Sequence, residues 1–346
     1  MTLDLQRYID ARDRAAGYLV ARQRPDGLIG EPEWGMGSYY KAVWALAAAG
    51  RTQNAARLLS WIGDNNFDPR TGDFCGPHPR GQALEAIYPY PNAWLAIGAH
   101  RLGAFHISRR AADFLVTLQD PASGGFRARI DVEPAKAPQD TMSSSQAGLA
   151  CLFTGRLGNA RACGGFLRTL MDAQPQPEQS LHFVWSRGAL RTEFKPEAAQ
   201  FFVLRADQPR QWYFMMGIAA AFLCRLTMAS GERTHVGLAQ RYLDLAFHCT
   251  DAMYDTAQVG KVGWGAALVY QLTGDARYRD LAVRVAGALL AQQNPDGSWH
   301  NTGGFTQQSE TDEVTAEFVV LLDEMIQGLS SASQDVGAAF RPPDSL

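Results

Sequence analysis

Cysteine is scarce in this 346-residue chain, with five residues (Cys75, Cys151, Cys163, Cys224 and Cys249) and no Cys-x-x-Cys pair. A disulfide framework or a thiolate metal site needs paired spacings, so reduced core or surface thiols are expected instead. Long apolar runs are missing too. Stretches such as 218–223 fall far short of the ~20 residues of a membrane span. Nor is there a basic excess: 32 Lys and Arg face 35 Asp and Glu, for a formal charge of −3. Nucleic acid, which demands clustered positive charge, is therefore not an expected partner. The opening Met1-Thr-Leu-Asp-Leu-Gln-Arg-Tyr8 has neither a basic n-region nor an apolar h-region. It reads as the start of an amphipathic helix, and a cytoplasmic location is expected. Gly-x-Gly-x-x-Gly, the phosphate-binding loop, His-Glu-x-x-His and Gly-x-Ser-x-Gly are all absent. No cofactor and no metal are expected on that ground.

What is present is a repeat. Apolar helical stretches end at Gly50, Gly103, Gly155, Gly231, Gly274 and Gly328, each followed by a short polar link and a second helical stretch. Glycine at such a place supplies the left-handed conformation that stops a helix. The stretches before the stops are apolar nearly all round, the mark of buried helices. Those after them are amphipathic, with apolar residues at i, i+3 and i+4. Length alone suggests two domains, but the repeat predicts one. The inner helices fall near 39–49, 88–102, 141–154, 211–229, 261–273 and 312–327. Five outer helices follow the first five, and an N-terminal helix over 3–22 closes the ring against the last. The predicted fold is all-α: an (α/α)6 barrel over residues 1–330, with a tail at 331–346 that carries Pro342 and Pro343.

The longest unit carries an insertion near 180–205. Arg187-Gly188 between two alternating runs predicts a β-hairpin, and 199–204 a third short strand. As a long insertion in a compact repeat, it is read either as an elaborated loop or as a wall over the barrel mouth. A further recurrence ends the outer helices in Gln and a glycine turn: Gln23 to Gly27, Gln119 to Gly125 and Gln293 to Gly297, with a looser copy at Asn66 to Gly72.

Gln293-Asn-Pro-Asp-Gly-Ser-Trp299 resembles the Gln-Trp motif of squalene–hopene and oxidosqualene cyclases. Ser309-Glu-Thr-Asp-Glu-Val-Thr-Ala-Glu317 is similar to the Asp-x-Thr-Ala stretch that opens an inner helix in those enzymes. The resemblance implies an α/α toroid. It does not extend to their Asp-x-Asp-Asp acid motif, since the nearest candidates, Gln139-Asp140-Thr-Met and Thr311-Asp312-Glu313, both fall short of its three acidic groups. The stretch from Gly263 to Tyr278 looks like helix junctions of (α/α)6 carbohydrate enzymes, among them unsaturated glucuronyl hydrolases and N-acylglucosamine epimerases.

In such a barrel the inner helices run one way, so six N-termini gather at one mouth and favour a small-molecule substrate carrying an anionic group. The residues expected there define the candidate site. Asp140 is read as a helix N-cap or a general acid–base group. Asp312 and Glu317 are acid–base candidates, Glu317 as a buried carboxyl with a raised pKa. His78 is either a surface histidine, or a proton shuttle or anion contact paired with Arg80, and Cys75 in the same loop is read as a reduced thiol or as a nucleophile beside it. Arg80, Tyr88, Tyr90, Trp94, Trp212, Tyr213, Lys261 and Trp264 are the expected substrate-binding residues.

Three functions are compatible with this reading. The first is cofactor-independent acid–base chemistry by a cyclase, isomerase or lyase acting on a terpenoid-like or polyketide-like metabolite. The second is a carbohydrate-active hydrolase, lyase or epimerase, which needs an open cleft with two carboxylates ~5–10 Å apart. The third is a binding toroid with a filled centre.

Overall fold

A computed structural model describes residues 4–78, 80–300 and 307–331; the tail after Ser331 lies outside the described residues. The outer helices are α1 (Gln6–Ala21), α3 (Thr52–Asn65), α6 (Phe105–Thr117), α8 (Leu157–Asp172), α10 (Thr234–Asp244) and α12 (Ala276–Ala291). The inner helices are α2 (Ala42–Ala48), α5 (Pro89–Arg101), α7 (Thr141–Phe153), α9 (Phe214–Ser230), α11 (Gly260–Thr273) and α13 (Gln308–Ser331). A single turn, α4 (Gln82–Glu85), precedes α5. Each inner helix packs against the next in the order α2, α5, α7, α9, α11, α13, and α13 returns to α2. The ring closes as expected, with α1 packed on α13.

The two kinds of helix differ in what they bury. α9 is covered on every side, whereas α3 hides only Ala55, Leu58, Leu59, Trp61 and Ile62. Gly50, Gly103, Gly155, Gly231 and Gly274 take the left-handed conformation of a helix stop, with φ between 70° and 80°. Gly328 does not. It lies inside α13, where a Cβ would come 3.0 Å from the backbone of Ala267 on α11. Its smallness serves a close helix crossing, and α13 continues to Ser331.

The recurring glutamine has a structural task. Gln119 Nε2 donates to the carbonyl of Gly124 in its own turn at 2.8 Å and to that of Asn159 on the next outer helix at 2.9 Å. Gln23 does the same to Gly27 and Asn54, and Gln293 to Gly297 and Ala11, so the last turn is tied to the first helix. The aromatic after the Gln293 and Gln119 turns is anchored to the adjoining inner helix. Trp299 N–H donates to Thr315 Oγ1 at 3.1 Å, and Phe126 N–H to Ser144 Oγ at 3.0 Å.

The insertion forms two small sheets. β3 (Val184–Ser186) turns at Arg187-Gly188 into β4 (Ala189–Leu190), giving the expected hairpin. β2 (Ser180–His182) pairs with β5 (Val203–Arg205), so the third strand starts later than expected and 196–201 forms a 3₁₀ turn. β1 (Gln139–Asp140), the residues leading into α7, joins β3 in antiparallel register, Asp140 opposite Val184. The sequence pattern did not predict that strand.

Candidate active site

A cavity of about 560 Å³ opens at the N-terminal ends of the inner helices, where the topology places a mouth. Its wall is mostly carbon. Tyr90, Met142, Trp212, Phe214 and Met215 come from inner-helix starts, and Phe183, Val184, Phe201 and Phe202 come from the insertion. The insertion is thus a wall of the cavity. Below it the barrel is filled: Trp44, Trp94 and Trp264 are buried on its axis, with Trp44 and Trp94 ring centroids 4.8 Å apart. Trp264 Nε1 donates to Glu324 at 2.9 Å, and Arg101 and Arg225 pair with the same carboxylate toward the far end.

Four of the cavity's charges sit on three adjacent helices; the others are Asp140 and Arg129, the latter paired with Asp131. Lys41 precedes the first turn of α2 and Lys261 is the second residue of α11, and both side chains are almost wholly buried. The partial positive charge of a helix N-terminus disfavours a cation, and burial disfavours it further. α13, which lies between α2 and α11, begins earlier and brings carboxylates alongside. Glu317 pairs with both lysines at once. Glu313 pairs with Lys41 at 2.9 Å and accepts the Tyr40 hydroxyl hydrogen bond. The Lys41 ammonium also lies 5.6 Å from the Tyr90 ring centroid, and that of Lys261 lies 5.4 Å from Phe214. Gly217 on α9 makes room for this, since any Cβ there would strike the Lys261 backbone.

The electrostatics reverse one expectation. Burial alone would raise the Glu317 pKa, but the two ammonium groups overcome it and hold the carboxyl down at about 2. The lysines thus favour the ionised form of Glu317, against the raised pKa expected from burial. Lys41 is correspondingly held above the ordinary lysine range by Glu313 and Glu317, against its burial.

Asp140 lies on the other side. In a six-membered ring α7 stands opposite α13, and Asp140 lines the cavity from the start of α7. Its Oδ1 caps the helix by accepting the Ser143 N–H at 2.7 Å, as the first reading of this residue expects, and its carboxyl lines the cavity. Burial pushes its pKa up, against the pull of the Ser143 and Met142 groups at the helix start.

Of the expected residues, Asp140, Glu317, Tyr90, Trp212 and Lys261 line the cavity. The others are placed elsewhere. Asp312 is fully buried behind α13, where it accepts from Arg22 at 2.7 Å and from Tyr18 and Gln308, a lock between α1 and α13. His78 stacks on Trp61 with ring planes 20° apart. Arg80 donates to the carbonyls of Phe74 and Tyr88 and stacks 3.8 Å over the Tyr88 ring, whose hydroxyl donates to Asp73. Burial and the nearby Asp73 and Asp68 raise the Cys75 thiol, opposite to what a nucleophile needs. Trp94 and Trp264 form the layer beneath the cavity, and Tyr213 is buried with its hydroxyl on the Gln208 carbonyl. Lys41 was missed, although a single lysine opening an apolar helix, as Lys261 does, is a legible signal. Among the described residues no group of three or more His, Cys, Asp or Glu is placed to hold a metal ion. None of their helices is long and apolar enough to cross a membrane.

Ring closure, the two helix layers and the cavity at one mouth define an α/α toroid. No family model and no curated protein matches the sequence. Solved structures match in fold. A D-mannose isomerase superposes with a TM-score of 0.66 at 11% identity, over 92% of this chain and 96% of that one. An unsaturated glucuronyl hydrolase specific for heparin gives 0.62 at 11%, over 95% and 98%. A type II terpene cyclase from Scytonema, in complex with merosterolic acid A, gives 0.60 at 14%, over 94% and 99%.

Proposed function

We propose that the protein is an enzyme that isomerises, cyclises or cleaves a largely apolar small molecule by cofactor-independent acid–base chemistry, with Asp140 as the acid. One observation carries the reading: a buried carboxyl with a raised pKa faces a carbon-lined cavity, opposite an ion cluster that is already neutralised. Burial keeps the proton on Asp140 to higher pH than on an exposed aspartate, which suits donation. Protonation of a carbon–carbon double bond, or of an oxygen whose C–O bond then breaks with the electron pair leaving on oxygen, produces an electron-deficient carbon, and the faces of Trp212, Phe214 and Tyr90 stabilise positive charge. Glu313, on the opposed helix and hydrogen-bonded to Tyr40, is the acceptor for a proton lost at the other end of the substrate. Proton gain and loss then balance, and no oxidant or reductant is required.

Asp140→Asn keeps a capping side chain while removing the acid. The expected result is a turnover lower by about 10²–10⁴-fold at an unchanged melting temperature. Full activity in that variant would remove Asp140 from the mechanism. For the wild type, kcat/KM is expected to fall on the alkaline side as the raised Asp140 carboxyl deprotonates.

The second reading, an enzyme of carbohydrates, has one feature in its favour: carboxylates on opposed helices, Asp140 against Glu313 and Glu317. Against it stand the carbon-rich wall and the engagement of Glu317 by two lysines. A thermal-shift panel of monosaccharides against polyprenols and other apolar metabolites separates the two, stabilisation by sugars alone favouring the second.

A further inference from the structure

A second pocket of about 390 Å³ opens beside the cavity and shares Pro138, Val184 and Phe202 with its wall. Its remaining lining is different in kind: Lys136, Arg187 and Arg191 bring three cationic side chains to it. Lys136 is paired with Glu133 at 2.7 Å. Among the described residues neither arginine is in an ion pair, and the Arg191 guanidinium is held only through the Glu193 carbonyl at 3.2 Å. The Arg191 backbone, just past the end of β4, is fixed by its N–H on the carbonyl of Val184 at 2.9 Å, so this guanidinium springs from a residue held against the cavity wall. Arg187 occupies the first position of the hairpin turn with φ 53°, a left-handed conformation that glycine or asparagine adopts with less strain. Strain retained under a charged side chain at a pocket rim points to use of that side chain.

We propose that this pocket is the headgroup subsite, holding a carboxylate or phosphate at the end of a substrate whose apolar body fills the cavity. The inference rests on the apolar-cavity reading above. The lysines within the cavity do not serve this purpose, since Glu313 and Glu317 already engage them. The free guanidinium groups lie outside, where an anion stays partly hydrated, and their planar forks match carboxylate and phosphate oxygens. The substrate is on this account an amphiphile, anchored by its charged end at the insertion while its carbon skeleton reaches Asp140.

The test is a binding titration read by tryptophan fluorescence, with Trp212 in the cavity wall as reporter. The probes are dodecanoate, dodecyl phosphate and dodecanol, each below its micellar concentration. In low salt the tighter anion is expected to bind about tenfold more strongly than dodecanol, the scale of one or two charge-assisted hydrogen bonds. Which anion leads identifies the headgroup. In the Arg187→Ala/Arg191→Ala variant, and in the wild type at high salt, the advantage is expected to vanish while dodecanol binding is unchanged. Both residues are on the surface, and an unchanged circular-dichroism melt confirms the variant's fold. An absent anionic advantage, or one that survives in the variant, overturns the headgroup subsite and leaves the cavity reading standing. No binding of dodecanol overturns the apolar cavity, and the subsite with it.

Discussion

The ion cluster at Glu317 is the residue on which the cavity floor depends. Removing one partner of a buried pair leaves an uncompensated charge, at a cost of about 3–5 kcal/mol. Glu317→Gln strands Lys261 and leaves Lys41 with Glu313 alone, so urea unfolding is expected to show a loss in that range. Lys261→Met is expected to cost less, because Glu317 keeps Lys41. The pH dependence follows in sign. The folded carboxyl titrates at about 2, below the ordinary 4.5 of glutamate. Its stabilisation is thus fully present above about pH 4.5 and is lost as pH falls toward 2. Melting curves between pH 6 and 2 are expected to show this loss in the wild type and a shallower one in Glu317→Gln. The carboxylate itself was legible as an acidic residue on an apolar helix. Its partners were not, because Lys41 is 276 residues away and only closure of the ring brings them together.

At the scale of elements, the glycine turns between outer and inner helices are the joints of the ring. Gly27 and Gly297 combine positive φ with close approach: a Cβ would come 2.6 Å from the Arg57 or Arg14 carbonyl oxygen on the neighbouring outer helix. Gly155 has a similar φ but open space around it. Gly155→Ala is expected to cost about 1–2 kcal/mol through backbone strain alone. Gly27→Ala and Gly297→Ala are expected to cost about 1–3 kcal/mol more through overpacking; chemical denaturation of the three variants measures the difference. These joints explain why so much of the architecture was readable. A helix stop, a turn and an all-apolar helix each leave a local signature in the chain. Gly328 misled because a glycine placed for close packing and one placed for a stop look alike in sequence. β1 escaped notice because two residues before a helix carry no periodicity, and their pairing depends on a strand more than forty residues later.

Across the whole molecule, the ring is held shut by contacts between distant ends of the sequence. Arg22 pairs with Asp312, Arg12 pairs with Asp323, and the Gln293 side chain reaches Ala11. Asp312 seemed a catalytic candidate because acidic residues crowd the start of α13, yet its place is in this closure. Deletion of residues 1–22 is expected to replace a single cooperative unfolding transition with a broad one and to raise binding of a hydrophobic dye. An unchanged sharp transition in the truncated protein would show that eleven helices suffice. The cavity depends on the same closure, since its lysines come from the helices on both sides of α13 and their carboxylate partners from α13 itself.

That closure also has a consequence in time. α1 leaves the ribosome well before α13, the inner helix it packs on, which follows some three hundred residues later. At translation rates of about 5–20 residues per second, the interval is on the order of tens of seconds. Throughout it, the apolar stripe of α1 (Tyr8, Ala11, Ala15 and Leu19) lacks its native cover. The nascent chain therefore presents a sustained target for holding chaperones, and the emergence of α13 ends that exposure.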